Sequence, residues 1–311
     1  MRVQLFGDLV MRRFGALIAM LALGATVTAQ RGDTARTLDG VIDIHVHSAP
    51  DSAARSIDSI DVAKLARTRG MRAIVLKSHY EPTATMAFIV RKEVPGIEVF
   101  GGIDLNLTVG GMNAAAVEHM TQVTGGFGRL VWMSTFDAEN QVRYSKDNRR
   151  FVRVAKDGQL LPEVKDVIGV IAKHNLVLAT GHVSPDEGLM LLREGKRQGV
   201  RHMVVTHAMQ APVLMNVGQM QQAAKEGAFV EFVAGSIAGP GGPARVDSYA
   251  DAINKVGAEF CILSSDLGQK GNALPPDGLA DFIAALRTRG MTGAQIDLIS
   301  KRNPARLLDL P

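Results

Sequence analysis

Eight short runs rich in β-branched and apolar residues recur along this chain, with helix signals between them, and that alternation limits the fold more than any other feature. The runs are Val41–His47, Arg72–His79, Glu98–Asn106, Arg129–Thr135, Leu176–His182, His202–His207, Ala228–Ala234 and Glu259–Asp266. Helical patterns end at glycines: Ser56–Arg69 before Gly70, Asn113–Val123 near Gly125-Gly126, Asn216–Glu226 before Gly227, and Asp277–Arg289 before Gly290. Ser184-Pro185-Asp186-Glu187 combines an N-cap, a first-turn proline and a capping-box glutamate. Strands joined through helices run parallel. With no glycine-rich nucleotide fingerprint, the expected α/β fold is a single (β/α)8 TIM barrel rather than an open sheet. The 311 residues would also suit two average domains, but no change of composition divides residues 30–311, which are read as one barrel domain. The one excursion is Glu139–Leu161, where Phe151–Val154 and Gln159–Leu161 flank Lys156-Asp157-Gly158. That pattern predicts a hairpin above the fourth strand, either a lid over the site or a surface decoration.

A barrel keeps its chemistry at the C-terminal ends of its strands. Five of the eight histidines, at 45, 47, 79, 182 and 207, fall at such an end; His119 and His174 lie in helical stretches and His202 opens a strand. In Asp43-Ile44-His45-Val46-His47, alternation puts His45 and His47 on the inward face and sends Ile42, Ile44 and Val46 toward the helices. Two imidazoles so spaced can grip one divalent ion. A lone H-x-H is weak evidence, but His182, His207 and Asp266 each close a further run.

With those residues the chain resembles the amidohydrolase superfamily, whose pattern is H-x-H on strand one, His on strands five and six, and Asp on strand eight. His45, His47, His182, His207 and Asp266 match all five positions, and Asn303-Pro304-Ala305-Arg306-Leu307-Leu308 is similar to the closing helix common in that superfamily. The resemblance covers nearly everything after residue 29. It implies a metal-dependent hydrolase that uses a metal-activated hydroxide on an amide, ester, lactone or phosphoester bond of a small molecule. His45, His47 and Asp266 would hold one ion, His182 and His207 a second, with Asp266 as general base and then acid. Imidazole-rich ligation makes one or two zinc ions the first expectation; manganese, iron, cobalt and nickel suit the same donors. The runner-up is a mononuclear decarboxylase or hydratase on the same barrel, and a third reading is a non-catalytic binding barrel.

One departure stands out. Binuclear members of the superfamily usually bridge their ions with a carboxylated lysine or a glutamate from strand four, and Leu130-Val131-Trp132-Met133-Ser134-Thr135 has neither. Lys77 and His79 share the inward face of strand two, with Ile74 and Leu76 outward. Lys77 is therefore read as a carboxylated metal ligand, against a contact to an anionic substrate or an internal ion pair. His79 and Glu231, inward on strand seven, are read as substrate-binding residues; a packed histidine and an internal salt bridge are their alternatives. Asp43 is expected to receive a histidine N–H, Asp104 and Asn106 to cap loops, and Cys261 to face the helices inertly. The glycine-rich stretch 234–243 is a flexible loop or an anion cradle, and without the lysine and hydroxyl of a P-loop it carries no nucleotide hydrolase.

Residues 1–29 read as a signal peptide: Arg12-Arg13, an apolar run from Phe14 to Ala25, then Val27-Thr28-Ala29 as a small-residue cleavage site. The expected location is periplasmic or secreted, with no stable membrane insertion after cleavage; an uncleaved anchor is the alternative. Half of the net charge of +4 lies in that segment, so the nearly neutral remainder offers no footprint for nucleic acid. The single cysteine forms no internal disulfide. The expected partner is a small-molecule substrate, with a homo-oligomer compatible.

Overall fold

The computed structural model describes residues 38–237 and 242–311. Expectations for residues 1–29, and for residues 238–241 of the glycine-rich loop, lie outside them. Eight parallel strands form one sheet: β1 (Ile42–His47), β2 (Ala73–Lys77), β3 (Glu98–Asp104), β4 (Gly128–Trp132), then, after a two-stranded hairpin of β5 (Ala155–Lys156) and β6 (Gln159–Leu160), β7 (Val177–Ala179), β8 (His202–Val205), β9 (Phe229–Val233) and β10 (Cys261–Ser264). Each pairs with the next barrel strand, in a nearly closed (β/α)8 barrel. The helices are α1 (Ser59–Thr68), α2 (Ala84–Glu93), α3 (Ala114–Thr121), α4 (Glu139–Tyr144), α5 (Pro162–Lys173), α6 (Pro185–Arg197), α7 (Val217–Lys225), α8 (Gly242–Val256), α9 (Pro275–Arg287), α10 (Gly293–Asp297) and α11 (Asn303–Leu307). Among the described residues no helix is long and apolar enough to cross a membrane.

Local chemistry sets the boundaries. Helix α1 starts at Ser59, not Ser56, because the Asp58 carboxylate accepts the backbone N–H groups of Ile60 and Asp61 (2.9 and 2.8 Å). Helix α9 starts two residues earlier than its sequence pattern suggests, since Pro275 and Pro276 occupy a first turn that needs no N–H donors. The capping box of α6 forms as expected between Ser184 and Glu187. The hairpin pairs Ala155-Lys156 with Gln159-Leu160, later in the chain than the predicted first arm Phe151–Val154.

Two apolar clusters separate the layers. One lies between strands and helices and includes Val46, Ile74, Leu76, Val131, Phe232, Cys261 and Leu263. The other fills the barrel with Val75, Phe100, Leu130, Trp132, Val204 and Ile262, and Leu307 and Leu308 of α11 join it. Ile42 and Ile44 belong to this inner cluster, which corrects their expected place against the helices. The cause is an irregular register between Asp43 and Val46, which breaks the strict two-residue alternation of β1. There the Asp43 carboxylate accepts two backbone N–H groups, from His45 and from Ser265 across the seam, each at 3.0 Å. Asp43 thus bridges backbones, not the imidazole N–H expected of it. Two further bonds close the seam, Asp266 N–H to His45 C=O and His47 N–H to Leu267 C=O, both 2.9 Å.

Candidate metal centre

Strand pairing stops before most of the predicted strand ends, so His79, His182, His207 and Asp266 stand two or three residues beyond β2, β7, β8 and β10. Two of them carry left-handed backbone, His207 (φ +27°) and Asp266 (φ +48°). Such backbone costs about 1–3 kcal/mol and persists where surroundings enforce it, commonly at functional sites. Gly181 (φ +66°) turns the chain just before His182, and a Cβ there would collide with the carbonyl of Met133.

These turns bring the four histidines and the aspartate together, all buried. Donor atoms of His45, His47 and Asp266 lie within 4.8 Å of one another. The ring centroids of His182 and His207 are 4.8 Å apart, and His207 stacks 6.0 Å from His45. Three of the four rings are steered from behind. His45 Nδ1–H donates to the Glu231 carboxylate (3.2 and 3.3 Å), His47 Nδ1–H to the Lys77 carbonyl (3.2 Å), and His182 Nδ1–H to Gln141 Oε1 (2.8 Å). The His207 backbone N–H donates to Glu231 Oε2 (2.8 Å), while its buried ring Nδ1 has no partner among the described residues.

Protonation follows from burial and charge. Burial first, and then the nearby Lys77 charge, push His47 down to about 3 despite its contact with Asp266. His79 and His182 fall well below the ordinary histidine value and His207 below it, burial leading in each. His45 is the exception: burial works against its charge, but Asp266 and Glu231 lift its pKa above the ordinary value. Burial alone would raise Asp266, yet His45, His47 and His207 hold its carboxyl well below the usual range. His47 is therefore neutral at pH 7, and because the Lys77 carbonyl can only accept, the single ring proton sits on Nδ1. Its Nε2 then presents a lone pair to an ionised Asp266 Oδ1 at 3.2 Å, with His45 Nε2 3.2 Å from the same oxygen. His47 Nε2 and Asp266 Oδ1, two acceptors facing one another in a buried space, suit a cation between them. Imidazole nitrogens with one carboxylate suit zinc and its first-row neighbours, so the residues present fit a divalent metal.

Other predicted residues take different places. Glu231, expected to touch substrate, has both oxygens on His45 and His207 and is 2% exposed, so it stands behind the histidines. Lys77, expected as a carboxylated ligand, has contacts that match its ion-pair reading: Nζ lies 2.8 Å from Asp104 Oδ2 and 3.3 Å from His79 Nδ1, wholly buried. Carboxylation would turn that cation into an anion facing a carboxylate. Asn106 ties loops together as expected, accepting from Ser134 Oγ and from the N–H groups of Thr135 and Asp137. His79 lies between His47 and Phe136, with ring centroids 4.8 and 4.0 Å away. The Phe136 ring, 37% exposed, also meets His182 edge-on at 5.6 Å and Tyr80 at 6.4 Å. Arg149 bonds the Phe136 carbonyl and the Asp137 carboxylate and so fixes that ring at the rim. His174 pairs with Glu118 outside the site (2.9 Å), and burial raises the Cys261 thiol. Gln141 and Phe136 were not foreseen; a helix N-terminus just after strand four was their one sequence signal.

The barrel superposes on solved amidohydrolase and organophosphorus hydrolase structures. An amidohydrolase from Pseudomonas aeruginosa superposes with a TM-score of 0.61 at 14% identity, over 89% of this chain and 97% of that one. An organophosphorus hydrolase from Deinococcus radiodurans gives 0.56 at 15%, over 88% and 93%. The phosphotriesterase homology protein from Escherichia coli, complexed with phosphate in its active site, gives 0.58 at 16%, over 87% and 99%. At such identities the likeness is one of fold. No curated protein matches the sequence. The chain belongs to a family of unknown function, DUF6282, whose model matches residues 40–231. That span includes His45, His47, Lys77, His182, His207 and Glu231, and ends before Asp266.

Proposed function

We propose that this protein is an exported hydrolase that uses a divalent metal, zinc first, to cleave an amide, ester, lactone or phosphoester bond of a small molecule. The observation that carries the reading is the buried meeting of the His45 and His47 Nε2 atoms with one ionised Asp266 oxygen. His45, His47 and Asp266 hold the ion, and His182 and His207 supply two more imidazoles beside it. Such an ion, when bound, brings the pKa of a coordinated water to about 7 and polarises a carbonyl or phosphoryl oxygen. Asp266 takes the proton released at attack and returns it to the leaving group. Glu231 keeps the His45 ring in register, and the rim formed by Phe136 and Tyr80 receives an apolar part of the substrate.

A second reading, a single-ion decarboxylase or hydratase, is favoured by two observations: strand β4 offers no bridging residue, and Lys77 is engaged by Asp104. Metal-replete protein assayed against lactones, amides and phosphoesters tests the choice. Hydrolysis of one class is expected, and Asp266→Asn should lower its kcat/KM by about a hundred- to ten-thousandfold with the fold intact. No turnover across the panel by protein of measured metal content would count against the hydrolase and for the lyase.

A further inference from the structure

The sequence allows the stretch 139–161 as a lid or a surface decoration, and its contacts give it a part in the site. The short helix α4 grips His182 twice. Asn140 Nδ2 donates to the His182 carbonyl and to the Pro212 carbonyl, both at 3.0 Å. One residue on, Gln141 Oε1 accepts from the His182 ring at 2.8 Å, while its amide nitrogen bonds Ser145 Oγ at 2.9 Å. The stretch is also anchored at its base, where Val152 bridges Ala138 and Arg153 pairs with Glu139 at 2.6 Å. His45 and His47 get the same service from β-strand groups, the Glu231 carboxylate and the Lys77 carbonyl. His182 follows the shortest barrel strand, of three residues, and its ring partner comes from the insertion.

We propose that Gln141 is a positioning residue: its amide oxygen holds the His182 proton on Nδ1 and so aims a bare Nε2 at the bound metal. The proposal rests on the metal-centre reading above. A ligand histidine whose outer nitrogen loses its partner can rotate or change tautomer, and losses of about 10- to 100-fold in metal affinity are typical. Leucine at position 141 keeps the bulk and removes the acceptor, whereas glutamate keeps an acceptor. The insertion therefore completes a ligand, and a change at Gln141 reaches the metal without touching substrate.

The test needs no substrate. Wild-type full-length protein, Gln141→Leu, Gln141→Glu and Arg153→Ala are stripped with a chelator and titrated with zinc and with cobalt(II), reading stoichiometry, affinity against a competing chromophoric chelator, and the cobalt visible spectrum. Gln141→Leu is expected to bind about 10- to 100-fold more weakly, with an altered cobalt spectrum. Gln141→Glu should restore both, and Arg153→Ala, which loosens the insertion without meeting the ring, should leave both unchanged. Wild-type affinity and spectrum in Gln141→Leu would overturn the proposal, as would an equal loss in Arg153→Ala. Absence of uptake by the wild-type protein itself is a different pattern, which removes the metal-centre reading together with this inference.

Discussion

His47 shows at the scale of one side chain how burial and a carbonyl decide chemistry. Its Nδ1 faces a group that can only accept, its pKa sits at about 3, and its Nε2 is left bare against Asp266. The same displacement makes stability depend on pH. Between the ordinary histidine value of 6.5 and about 3, the unfolded chain takes up a proton that folded His47 refuses. The lowered values of His79, His182 and His207 act in the same direction. Their contribution is fully present above about pH 6.5 and is lost as pH falls through that window. Asp43, raised by burial to about 6, opposes them, because the folded chain keeps its proton from 3.8 up to about 6; the raised His45 opposes them too. Asp104, raised by burial, opposes them as well, while the lowered His202 acts with them, and the five lowered histidines outweigh the three opposing groups. The urea midpoint of metal-free protein, measured in chelator, is therefore expected to fall between about pH 7.5 and about pH 5. A flat or rising midpoint over that range would show that the imidazoles are not held neutral.

Among the elements, the loop from β4 to α4 brings an aromatic ring to the rim of the site. Arg149 pins its Phe136 at the rim, and a partly exposed ring held against His79 and His182 is placed to meet substrate. Phe136→Ala is expected to lower kcat/KM for aryl-bearing substrates about tenfold relative to alkyl analogues, the worth of one aromatic contact. Thermal stability should hardly move, since little of the core depends on the ring. An unchanged aryl preference would remove Phe136 from the substrate surface. Legibility differs between elements in the same way. The strands β1 to β4 and β7 to β10 were readable because fully buried parallel strands are nearly continuous apolar runs, and α1, α3, α6, α7 and α9 because caps and glycines punctuate them. Helices α2, α5 and α8 were not singled out: the N-cap residues of α2 and α5, Thr83 and Leu161, make no side-chain cap bond. Side-chain direction was legible from alternation on β2, β9 and β10 and failed on β1, where the irregular register turns Ile42 and Ile44 inward. The five site residues were legible since each stands at or next to the end of a strand run. Glu231's duty behind His45 and the reach of Gln141 to His182 were not, because both depend on contacts between residues far apart in sequence.

For the whole molecule, the barrel gathers at one end acceptors that no single element could bring together. The seam between β1 and β10 is central to that: the Asp43 carboxylate ties the two strands, and Asp266 donates its backbone N–H to His45 just where both side chains converge. A metal at that meeting point is what the site requires. Zinc-loaded crystals measured at the zinc absorption edge test it most directly. The predicted result is an anomalous peak at about 2.0–2.2 Å from His45 Nε2, His47 Nε2 and an Asp266 oxygen. A zinc-loaded protein whose anomalous signal lies elsewhere, with these three side chains still facing only one another, would contradict it.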